Sequence, residues 1–310
     1  MCSILGQINF EKNVNSNKEI SILNSLLKHR GPDDEGYFND EYVSLAFNRL
    51  SIIDLQTGNQ PIKTYNIVSI FNGEIYNFKE LKKELIDKGY KFRTNSDSEV
   101  IPVAYKAWGT QFFKKLRGMF AICIYDLDKK KIYLARDQVG IKPLYYFKTN
   151  NSIIFASEVK PLINHSKFKK EIDYSGITSY FLHRYTTNNK RGFFKNINQI
   201  NEGSFLEIDL RVKKISENEY YELQINTKNN DYGEKYYLEL IDEKLNQSIN
   251  RHLISDVPIS VFLSGGLDSS LLSTIASERL NYRLNTFSVG FEESEYDESN
   301  FAKDVSSRIN

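Results

Sequence analysis

The chain opens with the stretch MCSILGQINF at residues 1–10, in which Cys2 leads into an apolar run that predicts a β-strand from Ile4 to Phe10. The initiator methionine is usually removed when the second residue has a small side chain. Removal of Met1 makes Cys2 the N-terminal residue, so that its thiol lies beside its own α-amine. The opening stretch therefore predicts a strand that presents a reactive group at its first end.

An N-terminal cysteine combines a nucleophile and a base in one residue. Because a free α-amine titrates at about pH 8, it accepts the thiol proton directly or through water. None of the four histidines lies in a local cysteine-protease signature, so a Cys–His dyad is the weaker alternative, and an inert thiol is the other. Cys123, in the apolar run MFAICIYD, is predicted to be a buried small hydrophobic residue.

Short β-type runs dominate the first two hundred residues, and amphipathic helices interrupt them. We predict strands at residues 4–10, 43–47, 67–71, 119–125, 131–135, 144–147 and 153–156. We predict helices at 18–28 and 78–88, the second of which ends at Gly89. This order indicates a strand-rich domain, which we place at residues 2–215.

The periodicity changes after Gly233. A long amphipathic helix is followed by a strand at 257–263, a glycine-rich turn and another helix, which is the opening of an α/β unit at residues 233–310. The polar stretch 216–232, which contains Gln224, Asn226 and Asn230, is predicted to be the linker.

Composition narrows the class of protein. The 310 residues carry 41 Lys+Arg against 40 Asp+Glu, a net charge of +1, so no overall field attracts nucleic acid or a membrane. No secretory leader occurs, nor any apolar stretch of about 18 residues. Two cysteines in a chain of this length fit a reducing compartment. We therefore expect a cytoplasmic protein with small-molecule partners.

Turn-rich motifs supply the groups needed to hydrolyse an amino-acid amide such as glutamine. Arg49 follows a strand and has the fork geometry for a carboxylate, whereas Glu74 and Asp97 are candidates for binding an ammonium. The side chain of Asn72 and the backbone N–H of Gly73 are candidate donors to a tetrahedral oxyanion.

Eight motifs in one order resemble the class II glutamine amidotransferase domain of glutamine-dependent asparagine synthetases. They are CSILG at the start, HRGPDDEG at 29–36, RLSIID at 49–54, GNQP at 58–61, NGEIYN at 72–77, SDSEV at 96–100, GMFAICIYD at 118–126 and RDQVGIKPLYY at 136–146. The resemblance implies an α+β fold, the N-terminal-nucleophile (Ntn) hydrolase αββα sandwich, with two antiparallel sheets between helical layers.

The resemblance also implies roles for individual residues. Cys2 is then the nucleophile and base, and Asn72 with Gly73 forms the oxyanion hole. The implied glutamine-binding positions are Arg49, Leu50, Ser51, Ile52, Ile53, Asn72, Gly73, Glu74 and Asp97. Arg30 would lie near the ammonia exit, the alternative being a solvated turn arginine. Pro102 departs from the pattern, because it falls in the helix that SDSEV should start and would kink or shorten its first turns, with Asp97 at the cap.

A second motif, SGGLDSS at 264–270, lies between a strand and a helix and matches neither GxxxxGK[ST] nor GxGxxG. Glycines, hydroxyls and a helix N-terminus favour an anion such as pyrophosphate, although a turn without ligand is the alternative. The motif resembles the pyrophosphate (PP) loop of α/β adenine-nucleotide α-hydrolase-like domains. The implied ATP-binding positions are Leu263, Ser264, Gly265, Gly266, Leu267, Asp268, Ser269, Ser270 and Val289. Mg²⁺ is the implied cofactor, with Asp268 as a candidate ligand and no metal ligand assigned firmly.

The resemblance implies a glutamine-dependent asparagine synthetase, in which ammonia released at Cys2 reacts with an aspartyl-AMP made from ATP, giving asparagine, AMP and pyrophosphate. Alternatives are an acceptor other than aspartate, such as an amino sugar of a surface polysaccharide, a stand-alone glutaminase, and a non-catalytic nucleotide sensor. The expected partners are glutamine, aspartate and ATP, without nucleic acid or membrane. The sequence leaves the oligomeric state open, and a homodimer is one alternative.

Only about 75 residues follow the predicted linker, too few for an independent α/β core. We therefore expect an incomplete second domain, so that these 310 residues hydrolyse glutamine but make little asparagine.

Overall fold

The computed structural model describes residues 1–13, 16–186, 192–225, 231–293, 295 and 297–309. The chain divides into two compact units, Met1–Gln224 and Ile225–Asn310. Among the described residues, no helix combines the length and apolar character needed to cross a membrane.

The first unit is built from antiparallel strands and short helices. Its strands are β1 Ser3–Asn9, β2 Asp34–Asn39, β3 Val43–Arg49, β4 Ile62–Thr64, β5 Ile67–Ile75, β6 Gly118–Asp126, β7 Lys131–Arg136, β8 Tyr145–Lys148, β9 Ser152–Ala156, β10 Asn198–Gln199, β11 Ser204–Asp209 and β12 Lys214–Glu219. Its helices are α1 Ser16–Ser25, α2 Phe78–Asp87, α3 Val100–Trp108, α4 Val159–Ile163 and α5 Tyr174–His183. The strands form two six-stranded antiparallel sheets, ordered β10-β8-β9-β1-β3-β2 and β12-β11-β7-β6-β5-β4.

Successive side chains of strand β1 point to opposite sides of the sheet, and all of them are buried because both faces are covered. Ile4 and Ile8 belong to the core between the two sheets, and Leu5 packs with the helical layer of α1 and α4 on the outside. Cys2 packs at the edge of the inter-sheet core, directly before β1. The strand therefore holds the candidate nucleophile at one end of the sandwich.

Aromatic contacts join a second helical layer to the other sheet. Tyr105 of α3 packs on Tyr133 of β7, with ring centroids 5.3 Å apart. Phe113, in the 3₁₀ turn after α3, stacks on Phe205 of β11 at 5.1 Å. Two sheets between two helical layers confirm the expected αββα sandwich.

The predicted strands of the first unit are all present, with ends that differ by at most two residues except in β5, which ends at Ile75, four residues beyond its predicted end. Helix α1 ends at Ser25, three residues before the predicted end. Cys123 is fully buried in the core, as predicted, and burial raises the pKa of its thiol.

The expected cap of the SDSEV segment was wrong. Ser96, and not Asp97, caps the SDSEV segment, because the Ser96 side chain accepts a hydrogen bond from the N–H of Ser98. Residues Asp97–Glu99 form a 3₁₀ turn, and α3 begins only at Val100. Pro102 therefore lies in the first turn of α3, where its missing N–H leaves no intrahelical bond unmade.

The predicted linker begins too early. Residues 216–219 belong to β12, a polar strand at the edge of the second sheet, which pairs with β11. Tyr220 is buried, and its hydroxyl donates to the carbonyl of Arg136 at 2.6 Å. Of the other predicted linker residues, 226–230, which include Asn226 and Asn230, lie outside the described residues.

The second unit opens with α6 Glu234–His252, followed by β13 Ser260–Phe262, α7 Leu267–Arg279, β14 Asn285–Phe287 and α8 Ser299–Arg308. The two strands pair in parallel, so that β13, α7 and β14 form the expected α/β unit. Strand β13 is shorter than predicted, since the strand pattern at 257–263 includes Pro258, which has no N–H to donate. A small core of Ile249, Ile275, Ala276 and Leu284 holds the unit together.

Candidate active site

The Cys2 thiol lies against the backbone that follows β3. The N–H of Leu50 donates to Sγ at 3.3 Å, and the thiol is 3.6 Å from the Leu50 carbonyl oxygen. Burial raises the pKa of the Cys2 thiol, although the Leu50 N–H, the N-terminal amine and Arg49 act in the opposite direction. The thiol is therefore protonated at neutral pH and needs a base to become a nucleophile.

Two cations surround the N-terminus. The Arg30 guanidinium donates to the carbonyl oxygen of Cys2 at 3.1 Å and to Glu158 at 2.9 Å, and it contacts the Met1 sulfur at 3.9 Å. The Nζ of Lys142 is 3.5 Å from the same sulfur. The Arg30 side chain is only 9% exposed, so the alternative of a solvated turn arginine is wrong. Burial lowers the pKa of the Met1 α-amine, with Arg30 and Lys142 adding to the effect and Cys2 and Asp33 opposing it.

Arg49 ends β3 and is buried, but its terminal nitrogens are already bonded. They donate to the carbonyl oxygens of Ile53 at 3.2 Å, Asp54 at 2.6 Å and Leu55 at 3.3 Å, and to the side chain of Asn59. The guanidinium therefore holds residues 53–59 in a closed loop. A substrate carboxylate that binds these nitrogens must displace one of the loop oxygens.

One carboxylate connects this loop to the segment that carries Asp97. The Asp54 side chain accepts hydrogen bonds from the N–H of Thr57 at 2.9 Å and from the N–H of Asn95 at 2.8 Å. Although burial opposes the effect, these bonds and the bond from the Thr57 hydroxyl hold the pKa of Asp54 below its usual value.

Asp97 is a buried carboxyl group, 5% exposed, that faces the thiol. It accepts a hydrogen bond from the N–H of Ile75 at 3.0 Å. Burial raises the pKa of Asp97 to about 7, and the neighbouring Glu74 adds to this effect. An ammonium group bound beside these two acids would favour the ionised form of Asp97.

Strand β5 brings Asn72, Gly73 and Glu74 to the same end of the sandwich. Asn72 is 1% exposed, and among the described residues its Nδ2 has no hydrogen-bond partner. Gly73 has φ +153°, and a Cβ at this position would lie 1.9 Å from the Met119 carbonyl oxygen. Only glycine fits at position 73. The buried Asn72 Nδ2 is a donor that could stabilise a developing oxyanion.

The remaining predicted positions are brought together but differ in what they offer. The N–H of Ser51 donates to Asp33 at 2.7 Å, so this amide is occupied. The carbonyl oxygen of Ile53 accepts from Arg49. Ile52 is half-buried in the same loop. A role for Ser51 through its side chain or carbonyl, and for Ile52 through its backbone, stays a prediction.

Two supporting residues were not predicted. Gln60 is buried, accepts from the N–H of Phe71 at 2.6 Å and donates to the carbonyl oxygen of Phe71 at 3.3 Å, which fixes the backbone directly before Asn72. Lys142 is buried beside the N-terminus. Both lie in the quoted motifs GNQP and RDQVGIKPLYY, but residue type alone gives no sign of their burial.

The family model described as a glutamine amidotransferase domain matches residues 1–221. The chain belongs to the glutamine amidotransferase family. The match covers all twelve strands that the structure describes in the first unit, including β12.

The second unit of this amidotransferase carries the SGGLDSS loop between β13 and α7. Ser264 Oγ and Ser269 Oγ are 3.0 Å apart, and Ser264 Oγ also accepts from the N–H of Gly266 at 3.3 Å. Gly265 has φ +87°, and a Cβ there would lie 2.5 Å from Phe301 Cβ. The buried Ser270 hydroxyl has no partner among the described residues. The loop is thus a compact turn in which the Ser264 and Ser269 hydroxyls bond within the loop and the Ser270 hydroxyl is buried.

A cleft of about 410 Å³ lies beside the loop. Its lining includes four of the predicted ATP-binding residues, Leu263, Ser264, Ser269 and Val289. Leu267 and Asp268 begin α7 and are exposed, and Gly265 and Gly266 form the turn itself. The family model described as asparagine synthase matches residues 240–310, which contain this loop.

Curated relatives agree with both matches. Asparagine synthetase [glutamine-hydrolyzing] 1 of Bacillus subtilis is 37% identical over 320 residues, covering 100% of this chain and 49% of the relative. Putative asparagine synthetase [glutamine-hydrolyzing] 2 of Methanocaldococcus jannaschii is 34% identical, covering 98% of this chain and 62% of the relative. The resemblance to asparagine synthetases is confirmed, and the chain spans about half the length of the first of these relatives.

Among solved structures, the glutamine phosphoribosylpyrophosphate amidotransferase of B. subtilis is similar over 94% of this chain and 67% of that chain, with 14% identity and a TM-score of 0.49.

Proposed function

We propose that the first unit hydrolyses glutamine to glutamate and ammonia at Cys2, and that the second unit takes part in transferring this ammonia to an ATP-activated aspartate in the cytoplasm. The observation that carries the proposal is the buried, unpartnered Asn72 donor on the strand that also carries Glu74, at the end of the sandwich where the Cys2 thiol faces Arg49 and Asp97.

Glutamine would be held by both ends of its amino-acid group. Its α-carboxylate pairs with Arg49, in exchange for a loop carbonyl, and its ammonium pairs with Asp97 and Glu74. Backbone of Leu50, Ser51, Ile52 and Ile53 lines the carboxylate side. This arrangement directs the side-chain amide of glutamine toward Sγ.

The reaction begins after Met1 is removed. The Cys2 α-amine takes the thiol proton, and the thiolate attacks the amide carbon of glutamine. Asn72 Nδ2–H and the Gly73 N–H donate to the oxyanion that forms. Collapse of this intermediate breaks the C–N bond, and the amine proton leaves with ammonia. Water then attacks the thioester, which releases glutamate and restores the thiol.

The names of the relatives, asparagine synthetase, support the acceptor step that we propose. A β-carboxylate of aspartate attacks the α-phosphorus of ATP, releasing pyrophosphate and giving aspartyl-AMP. Ammonia then displaces AMP to give asparagine. Ammonia attacks the aspartyl-AMP only while it is unprotonated, because ammonium has no lone pair to donate.

Ligands of the second unit would bind at the loop and cleft. Hydroxyl and N–H groups at 264–270 suit the phosphates, and Leu263 and Val289 suit the adenine. Asp268 exposes its carboxylate in the first turn of α7, which fits Mg²⁺ held by one carboxylate together with phosphate oxygens. When bound, that ion would neutralise charge on the phosphates. Among the described residues, no cluster of three or more potential ligands offers a cage without nucleotide.

The test compares the two cysteines. Purified protein, with Met1 removal verified by intact mass, is assayed for glutamate and ammonia release. Cys2→Ala should lose at least about 10⁴-fold in kcat, because the nucleophile is gone. The matched control Cys123→Ala, which changes a core cysteine, should keep its activity. A diazo-ketone analogue of glutamine should label Cys2 and spare Cys123.

Activity that survives Cys2→Ala would contradict the glutaminase proposal. The acceptor is tested separately by ATP–pyrophosphate exchange that requires aspartate. Exchange driven by another carboxylate and not by aspartate would overturn the aspartate assignment while leaving the glutaminase step intact.

A further inference from the structure

The backbone of Lys142 is clamped on both sides. Its N–H donates to Asp137 at 2.9 Å, and its carbonyl oxygen accepts from the Arg136 guanidinium at 2.9 Å. The fully buried Asp137 carboxylate also accepts from the N–H groups of Phe120 at 3.1 Å and Ile141 at 2.8 Å. Lys142 is thus fixed to strand β6 and to the loop after β7.

The Lys142 side chain points into the candidate active site. It is 6% exposed, and among the residues that the structure describes its ammonium bonds to the Met1 sulfur, a weak acceptor. Burial lowers the pKa of Lys142, whereas the nearby charges of Glu74, Cys2 and Asp137 act in the opposite direction. A buried ammonium with so weak a partner is expensive unless a better one appears.

Removal of Met1 takes away the sulfur that the Lys142 ammonium contacts. The thioether between Arg30 and Lys142 leaves with Met1, and the new α-amine appears at Cys2 beside the thiol. The anions that act on the Lys142 ammonium are then Glu74, the Cys2 thiolate and Asp137, and of these only the thiolate changes its charge during the proposed reaction. A mobile surface lysine would lose conformational entropy when it placed its ammonium beside the thiol. Lys142 loses less, because its backbone is fixed and its side chain is already buried.

We propose that Lys142 is a positioning residue that keeps an ammonium beside the thiol of the mature Cys2, where it favours the thiolate and keeps the adjacent α-amine unprotonated. The inference rests on the proposed glutaminase step. The other charged groups that act on the Cys2 thiol or on the Met1 amine are Arg30 and Arg49, which act in the same direction as Lys142, and Asp33 and Asp97, which oppose it.

The sign of the effect follows from Coulomb's law. A cation disfavours the charged form of the amine and favours the charged form of the thiol, so it lowers both pKa values. Replacing Lys142 by a neutral residue should therefore move the acid limb of the kcat/KM profile for glutamine hydrolysis to higher pH. We expect a movement of about one pH unit, typical of one charge at close range.

The experiment uses Lys142→Gln, the charge-preserving Lys142→Arg, and Lys214→Gln as a control on the exposed edge strand β12. The acid limb should move only in Lys142→Gln, with kcat reduced and KM for glutamine nearly unchanged. Lys142→Met replaces it if Lys142→Gln fails to fold, as judged by fluorescence of Trp108, the single tryptophan. An unmoved limb in the neutral variant, or an equal movement in Lys142→Arg, would overturn the proposal.

A second readout does not need glutamine. The rate of Cys2 alkylation by iodoacetamide is followed against pH, with the modified peptide identified by mass spectrometry. Its midpoint should rise in Lys142→Gln and stay in place in Lys142→Arg. If the wild-type protein released no ammonia, the proposed function would fail, while this titration would still decide whether Lys142 acts on the thiol.

Discussion

The two candidate sites differ in how deeply their predicted ligand-binding residues are buried before a ligand binds. In the first unit, Asn72 and Asp97 are 1% and 5% exposed, so both side chains are buried in the folded sandwich. In the second unit, Leu267 and Val289 are 83% and 69% exposed, beside a loop in which the Ser264 and Ser269 hydroxyls bond to each other and to the Gly266 backbone. A thiol that forms a covalent intermediate requires donors fixed in advance, whereas a phosphate loop takes part of its order from the nucleotide.

The largest effect that would test this contrast is expected at Asn72. Asn72→Ala should lower kcat for glutamine hydrolysis by about 10²- to 10³-fold, the usual loss for one oxyanion donor. Because Nδ2 has no partner among the described residues, little stability should be lost. Urea unfolding followed by Trp108 fluorescence checks this, with exposed Asn150→Ala as the control. A large loss of stability with normal kcat would show that Asn72 is structural.

The opposite behaviour is expected in the second unit. ATP with Mg²⁺ at about 100 times its dissociation constant should slow amide exchange in α7 by roughly 100-fold, since a ligand that binds only the folded form stabilises it by about 2.7 kcal/mol. Amides in β6 should exchange at unchanged rates. Equal protection of both units, or none in α7, would contradict ligand-dependent order in the loop.

A smaller effect concerns the pH dependence of glutamine binding. Asp97 binds the ammonium only as the carboxylate, so the dissociation constant of glutamine should rise about tenfold per pH unit below pH 7. Calorimetry on Cys2→Ala measures binding without turnover. Cys2→Ala combined with Asp97→Asn should bind weakly at every pH. A pH-independent dissociation constant in the first variant would exclude Asp97 from the binding site.

The smallest effect separates backbone strain from packing. Gly265 and Gly89 share nearly the same backbone angle, with φ +87° and +88°, but a Cβ at Gly89 meets nothing within 4 Å. Both substitutions by alanine should cost about 1 kcal/mol of strain, and Gly265→Ala should cost about 1–2 kcal/mol more because of Phe301. Amide exchange in α7 reports on Gly265→Ala and Trp108 fluorescence on Gly89→Ala. Equal costs would show that the loop adapts freely.

Much of the sandwich could be predicted because its central strands are apolar on both faces. The strands that were missed, such as β2 and β12, lie at sheet edges and are largely polar. Their pairing rests on backbone hydrogen bonds to a neighbour, which leave no apolar pattern in the sequence. The early linker boundary has the same cause, because β12 reads as a polar stretch.

The members of the site could be predicted by type and order, but their bonding could not. An arginine after a strand suggests a carboxylate ligand, yet the closure of loop 53–59 on Arg49 depends on backbone carbonyls that any residue supplies. The sequence around Lys142 suggests a surface lysine. In the structure, Asp137 accepts hydrogen bonds from the N–H groups of Ile141 and Lys142 and so fixes this segment of the backbone. Ser96 takes the cap because the first turn after it is 3₁₀ and not α.

Asp54 connects the loop that Arg49 closes to the segment that carries Asp97, because its carbonyl oxygen accepts from Arg49 and its carboxylate accepts from the N–H of Asn95. In the proposed complex, Arg49 would hold the α-carboxylate of glutamine and Asp97 its α-ammonium, and the hydrogen bond from Asn95 to Asp54 ties the segments that carry these two residues together. A rigid span of this kind presents the amide of a ligand with one methylene fewer short of the sulfur. If glutamine is the substrate as proposed, discrimination against the shorter homologue would then arise from the distance its amide spans, since both ligands would bind equally well through the α-carbon groups they share.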